Sequence, residues 1–209
     1  MVRTAVLVSG GGTNLQTLID SKLFGDLKNC ELTAVISSNP QAYALVRAEA
    51  AGIPCFTVDR SIFPNDASYN EAVLRKLRDM DIELVVLAGY TQPIYRTLPK
   101  AFPNRIIAVH PSLLPAFPDA DPDGEKLCEQ VLRRGAKITG ATAYFVTEEP
   151  CQGPIILQKA VEVLDDDTVQ SLQARITQNA EWLVLPQAIG LYCDGKLRFE
   201  GGIVKQKRD

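Results

Sequence analysis

His110 is the only histidine among the 209 residues. It closes the apolar run RIIAVH (105–110) and is followed at once by Pro111. An imidazole titrates near neutrality, so a histidine where a strand gives way to a loop is a candidate acid or base. A hydrogen-bonded packing role is the plain alternative. A second segment with chemical potential is SGGGTNLQ (9–16), lying between an apolar run and a helical pattern. Glycines let the main chain approach an anion, which the free amides and positive end of the following helix attract. Thr13 and Asn14 add side-chain donors. The spacing is neither a GxGxxG fingerprint nor a P-loop, and a tight turn without ligand is the alternative to a phosphate cradle.

The surrounding elements must bring these two segments together. TAVLVS (4–9), ELTAVISS (31–38), CFTV (55–58), ELVVLAG (83–89) and RIIAVH (105–110) read as buried strands. Helical patterns separate them at TNLQTLIDSKLFG, 41–51 and SYNEAVLRKLRDMD (68–81), where Ser68 is a plausible cap. Near-continuous apolar strands alternating with helices predict a doubly wound, mostly parallel α/β sheet covered on both faces. Ligands of such sheets gather at the carboxyl ends of the strands, so His110 and the glycine-rich loop are predicted to open on one crevice. After a Pro- and Asp-rich loop (111–124) and the helix EKLCEQVLRRG, ATAYFVTEE (141–149) and PIILQKAVEVL (154–164) predict an antiparallel pair. A long amphipathic helix over 166–195 follows, with Asp166 and Asp167 near its start and Pro186 inside it. KLRFEGGIVKQ predicts one more strand pair, an antiparallel C-terminal extension.

Composition narrows the function classes. A net charge of −3 argues against nucleic acid as a partner. The apolar stretch after Met1 is too short for a signal-peptide core or a membrane span, so a cytoplasmic chain without a membrane partner is expected. The five cysteines are odd in number and scattered without a CxxC pair, and one histidine cannot complete a histidine-rich metal site. Reduced thiols and no metal are therefore expected. The length suits one domain, 1–209, whose first half (1–100) holds the glycine-rich loop and whose second half (101–209) holds His110.

SGGGTNLQTLID, VISSNPQAYALVRAEAAGIP, VVLAGY, AVHPSLLPAF, GATAYFV, GPIILQKAV and the helix with Glu181 follow one another in a specific order. In these motifs, over about residues 3–200, the chain resembles the glycinamide ribonucleotide (phosphoribosylglycinamide) formyltransferases of purine synthesis. The resemblance implies transfer of a formyl group from 10-formyltetrahydrofolate, as co-substrate, to the amine of glycinamide ribonucleotide. It assigns His110 to catalysis and Gly12, Thr13 and Asn14 to the substrate phosphate. Glu181 then takes the ribose, with Gln178 one turn earlier on the same helix face. Thr91, Gln92, Pro93 and Ile94 hold folate, together with main chain around Phe145–Glu149. The implied partners are these two small molecules, bound by a monomer or homodimer.

The chain departs from the family motif where the chemistry is concentrated. The family's Asn-x-His-Pro-Ser reads Ala108-Val109-His110-Pro111-Ser112 here. The asparagine donates to the oxyanion, and losing one such donor costs on the order of 100- to 1000-fold in rate. Cys151 stands where the family has an aspartate that raises the histidine pKa. A thiol does this poorly, and at most one of Glu148 and Glu149 could substitute from a strand. Cys151 as a nucleophile paired with His110 is a further alternative. Asp66 aligns near a family arginine and would repel an anion, and Gln92 replaces a basic residue. Asp119, Asp121, Asp123 and Cys128 alter the loop after His110. Two functions follow from this pattern: a formyltransferase in which solvent or main chain replaces the missing donor, or an inactive relative that binds ligands or regulates.

Overall fold

The computed structural model describes residues 1–94, 96–118 and 124–207. Within these, strands β1 (Val2–Val8), β2 (Cys30–Ser37), β3 (Cys55–Thr57), β4 (Leu84–Leu87) and β5 (Ile106–His110) run parallel. Strand β6 (Ile138–Phe145) is antiparallel to β5, and β7 (Ile155–Glu162) is antiparallel to β6. The sheet order is β3-β2-β1-β4-β5-β6-β7. Helices α1 (Thr13–Leu23), α2 (Tyr43–Ala50), α3 (Asp66–Asp79), α4 (Thr97–Ala101), α5 (Glu125–Arg133), α6 (Val169–Ile176) and α7 (Trp182–Cys193) connect or cover it. A separate hairpin, β8 (Leu197–Glu200) and β9 (Ile203–Gln206), forms the C-terminal extension.

Side chains alternate across a strand, and here both sides are buried. Val6 and Val8 pack with Leu15 and Leu18 of α1 and with Leu185 and Ile189 of α7. Ala5 and Leu7 face the other way, onto Tyr69, Val73 and Leu77 of α3. That two-sided burial is why the strands read as continuous apolar runs rather than alternating ones.

Several boundaries differ from the sequence reading, each for a local reason. Helix α3 begins at Asp66 because Asn65, not Ser68, is its cap: Asn65 Oδ1 accepts the Ser68 amide at 2.9 Å. Strand β6 starts at Ile138, earlier than Ala141, and ends at Phe145, where the chain turns toward Gly153. The long helix over 166–195 is three pieces, because Thr177–Glu181 forms a wide π turn between α6 and α7. Pro186 does not break it; the departure from α geometry lies upstream. Thr168 caps α6, its Oγ1 accepting the Ser171 amide. Asp167 is instead buried under Arg175, whose Nη2 donates to it at 2.7 Å. That partner holds its carboxyl well below the usual carboxylate range. Helix α4 and a 3-10 turn at Arg60–Ile62 were not legible as elements.

The β1–α1 loop is held from the side. The Ala44 amide donates to Gly10 O at 3.0 Å and Arg47 Nε to Gly11 O at 2.8 Å. Gly12 has a φ of 73°, and a Cβ there would lie 2.6 Å from Ala44 Cβ and 2.8 Å from its Cα. Gly12→Ala therefore combines left-handed strain of about 1–2 kcal/mol with overpacking of about 1–3 kcal/mol. Urea unfolding is expected to register a loss of at least about 2 kcal/mol. Gly11→Ala, whose Cβ would meet nothing within 4 Å, is expected to stay close to the parent.

Candidate active site

Strands β1, β4 and β5 are neighbours, so their carboxyl ends deliver the glycine-rich loop, the Gly89–Thr91 corner and His110 to one edge of the sheet. Ser9 ties the first two together. Its amide donates to Gly89 O at 3.1 Å, its Oγ accepts the Thr91 amide at 3.0 Å, and the same hydroxyl pairs with Ser38 Oγ at 2.7 Å. A cleft of about 320 Å³ opens between these strand ends, lined by Ser9–Asn14, Ala88, Gly89 and Thr91. The amides of the first turn of α1 have no partner within the helix and border this cleft. It is a place for a small anion.

A second cavity, of about 150 Å³, adjoins Thr13 and is bounded by Pro111, Gly124, Cys128, Thr177 and Glu181. Asn14 Nδ2 donates to Glu181 Oε2 at 2.9 Å, linking the start of α1 to the end of the π turn. Burial pushes the Glu181 carboxyl up, against the pull of hydrogen bonds from Asn14 and Thr177. Asn14 Oδ1 is buried and has no hydrogen-bond partner among the described residues. The pair thus offers acceptors to a ligand bearing hydroxyl or amine donors. Gln178 is not part of it: the residue is exposed, and Thr177 takes the place beside Glu181. The wide turn carries more residues per revolution than an α-helix, so the fourth residue back, not the third, stacks on the carboxylate. A cavity of about 790 Å³ lies away from the strand ends, between α1 and α2, and is lined by Ile19, Leu23 and Val46 among others.

His110 is 6% exposed. Its Nε2 lies 3.0 Å from Phe117 O; a carbonyl only accepts, so Nε2 carries the proton. In the neutral ring the lone pair is then on Nδ1, which faces Cys151 Sγ at 3.8 Å. Burial pushes the imidazole below its ordinary value, and the Phe117 carbonyl offsets part of that. The ring is therefore neutral at pH 7 and available as a base. Ala108 lies two residues earlier on the same face of β5, packed with Leu114 and Tyr144.

The other residues singled out by sequence fall as follows. Glu148 turns to Arg96 and Lys100, at 3.4 and 4.0 Å, away from His110, and Glu149 is exposed with its carbonyl accepting from Thr147 Oγ1. Neither carboxylate stands in for an aspartate at 151. Asp66 is not a free repulsive charge, because Arg60 donates to it through Nε and Nη2 at 3.0 and 2.6 Å. Thr91 and Gln92 pair with each other at 3.2 Å, Pro93 O accepts from Asn70 Nδ2 at 3.1 Å, and Ile94 packs against the α3 side of the core. Burial, with Glu181 and Asp167 nearby, pushes the Cys128 thiol up to about 11. Asp119, Asp121 and Asp123 lie outside the described residues. Among the described residues no group of three or more His, Cys, Asp or Glu side chains is arranged to hold a metal ion, and no helix is long and apolar enough to cross a membrane.

A cleft at the ends of β1 and β4, with a histidine closing β5 on the same sheet edge, is the arrangement of a doubly wound α/β protein whose ligand site lies at its strand ends. The chain matches the Formyl transferase family over residues 2–189 and belongs to it. It is 37% identical to a phosphoribosylglycinamide formyltransferase of Bacillus subtilis, covering 91% of this chain and 96% of that protein. It is 34% identical to the protein of the same name from Haemophilus influenzae, covering 97% and 92%. The crystal structure of glycinamide ribonucleotide transformylase 1 from Symbiobacterium toebii superposes with a TM-score of 0.91 at 41% identity, covering 99% of this chain and 94% of that one.

With one histidine in the chain, its C–H proton resonance is unambiguous in a pH titration. The midpoint is expected below the ordinary imidazole value of about 6.5. Cys151 has a φ of 56°, a conformation aspartate tolerates, so Cys151→Asp is expected to fold and to raise that midpoint by about 1–3 units. A midpoint unmoved by the carboxylate would mean that residue 151 does not reach the ring in solution.

Proposed function

We propose that this chain is a cytoplasmic phosphoribosylglycinamide formyltransferase, moving a formyl group from 10-formyltetrahydrofolate to the amine of glycinamide ribonucleotide. The observation that carries the reading is the Asn14–Glu181 pair, which sets a buried acceptor and a carboxylate beside a cradle of main-chain amides. A phosphate against residues 12–14 leaves a ribose within reach of Glu181 and projects the amine toward the end of β5. The corner at Thr91–Ile94 and the main chain after Phe145 flank the same edge and would receive the folate.

In this reading the amine attacks the formyl carbon, forming the new C–N bond while the carbonyl electron pair moves onto oxygen. Collapse restores the C=O bond and breaks the bond to the folate nitrogen. The amine loses one proton and the folate nitrogen gains one. Neutral His110, with its lone pair on Nδ1, takes the first and returns it. Without an aspartate beside the ring, only the Phe117 carbonyl helps to hold the imidazolium once it forms, so that intermediate is short-lived and costly. A slower enzyme than one with the full motif follows, not a different reaction.

The test is formyl transfer with both substrates, read as formylated ribonucleotide and released tetrahydrofolate. Turnover is expected, and His110→Ala is expected to lower kcat by about 10²- to 10⁴-fold. Tight ribonucleotide binding without any turnover would instead make the chain a ligand-binding relative.

Glu181 supplies a second check. Its carboxyl is raised by burial, so it gains its proton at a higher pH than a free one, and only the ionised form accepts fully from ribose hydroxyls. KM for the ribonucleotide is expected to climb as pH falls through that raised value. A group raised in the folded state stabilises the fold only when protonated, so at neutral pH its charge is a liability. Glu181→Gln is therefore expected to abolish the pH dependence of KM, raise KM, and raise Tm at pH 7.5. A lowered Tm would show that the charge is held, not strained.

A further inference from the structure

Tyr144 was not legible as a functional residue, yet it occupies the space around the missing catalytic side chain. It lies directly opposite Ala108 in the β5–β6 register. Residues opposite one another in an antiparallel pair project to the same face with Cβ atoms about 4.5–5.5 Å apart. Both side chains indeed join the same buried cluster. The small Ala108 methyl and the large Tyr144 ring are thus complementary in volume. The Tyr144 hydroxyl reaches the catalytic edge: it lies 3.8 Å from Cys151 Sγ, which is itself 3.8 Å from His110 Nδ1. So the phenol, the thiol and the imidazole form one chain of contacts on the face that Ala108 leaves without a donor.

A thiol is a weak hydrogen-bond partner whether it donates or accepts, and Cys151 Sγ is the hydroxyl's partner among the described residues. A phenol O–H held that loosely is free to turn to any stronger acceptor that forms beside it. An oxyanion in a water-poor pocket is such an acceptor, and charge-assisted bonds are about twice as strong as neutral ones. Burial pushes the phenol well above its ordinary value, so at working pH it is a donor and not a competing anion.

Resting on the formyl-transfer reading, we infer that the Tyr144 hydroxyl is the oxyanion donor of this enzyme, replacing from β6 the hydrogen bond that Ala108 cannot make from β5. The carbonyl oxygen of the formyl group takes the electron pair when the amine adds. Tyr144 donates a hydrogen bond to it, without transferring its proton, and releases it when the C=O bond re-forms. His110 remains the group that moves protons. The stabilisation exists only while charge is on that oxygen, so it acts on kcat and leaves ground-state binding alone.

Tyr144→Phe keeps the ring and deletes only the hydroxyl. It is expected to lower kcat by about 100-fold, in the range for one oxyanion donor, with both KM values within about twofold and the same His110 limb in the pH profile. Because ring packing could also be disturbed, Tyr144→Phe is combined with Ala108→Asn, which returns an amide donor from β5. The double variant is expected to regain at least about tenfold of the lost kcat, more than Ala108→Asn adds to the parent, since two donors to one oxygen are not additive. Tyr144→Phe turning over at the parent rate overturns the inference. So does a slow Tyr144→Phe that Ala108→Asn fails to restore, because the loss then comes from packing. A parent chain without formyl transfer overturns the functional reading itself, and the inference with it.

Discussion

The site depends on one topological constraint: β1 has β2 on one side and β4 on the other, so the chain leaving β1 and the chain leaving β4 turn to opposite faces of the sheet. A gap at the carboxyl ends of these two strands is unavoidable, and it is where open α/β sheets bind ligands. Here the gap is kept from collapsing by Ser9, whose amide and hydroxyl hold the ends of β4 and β2 at fixed distances. The side pressure from α2 on Gly10–Gly12 keeps the amides of α1 pointed across it. Segments leaving two strands far apart in sequence thereby share one opening.

On the β5 side the polar chemistry has been redistributed rather than simply lost. An asparagine-to-alanine difference alone would leave a void beside His110, and voids in a packed interior are costly. The ring of Tyr144 packs beside Ala108 from the opposing strand and carries a polar tip, as buried tyrosines usually do when a partner is near. Cys151 sits in the turn closed by Gly153, where a Cβ would lie 1.6 Å from Phe145 O, so the thiol's position is set by a turn that tolerates no side chain at its exit. The consequence for His110 is electrostatic. A buried imidazole without a carboxylate is held neutral by desolvation, so its lone pair stays available while its hold on a proton is weak.

Much of this was visible in the sequence, for identifiable reasons. The parallel strands announce themselves because both faces are buried, and the glycine-rich loop announces itself by lying between one of them and a helix. Ala108 and Cys151 stand out because HPS and GPII frame them at a fixed spacing. What was hidden depends on register and on local hydrogen-bond geometry. That Tyr144, and not its neighbours, opposes Ala108 is decided by the β5–β6 pairing, which no single strand encodes. The wide turn at Thr177–Glu181 changes which residue stacks on Glu181, and a helical pattern of 3.6 cannot reveal it. Arg60 reaches Asp66 only because a 3-10 turn folds the five intervening residues back, so an apparent loose anion near the site is a paired one.

The two halves of the site are therefore under different physical pressures. The Asn14–Glu181 half carries an uncompensated acceptor and a carboxyl that would sooner be neutral, features that weaken an empty fold and persist only where a ligand repays them. A chain that had lost its ligand would be free to replace Glu181 by an uncharged residue and gain stability at once. The His110 half shows the opposite: it is a well-packed cluster in which one imidazole nitrogen is bonded to a carbonyl and the other faces only a thiol. Strain kept at the Asn14–Glu181 cavity, together with close packing around an imidazole that still presents its lone pair, fits the proposed enzyme, with its transition state stabilised in a changed way, better than a scaffold that has stopped forming one.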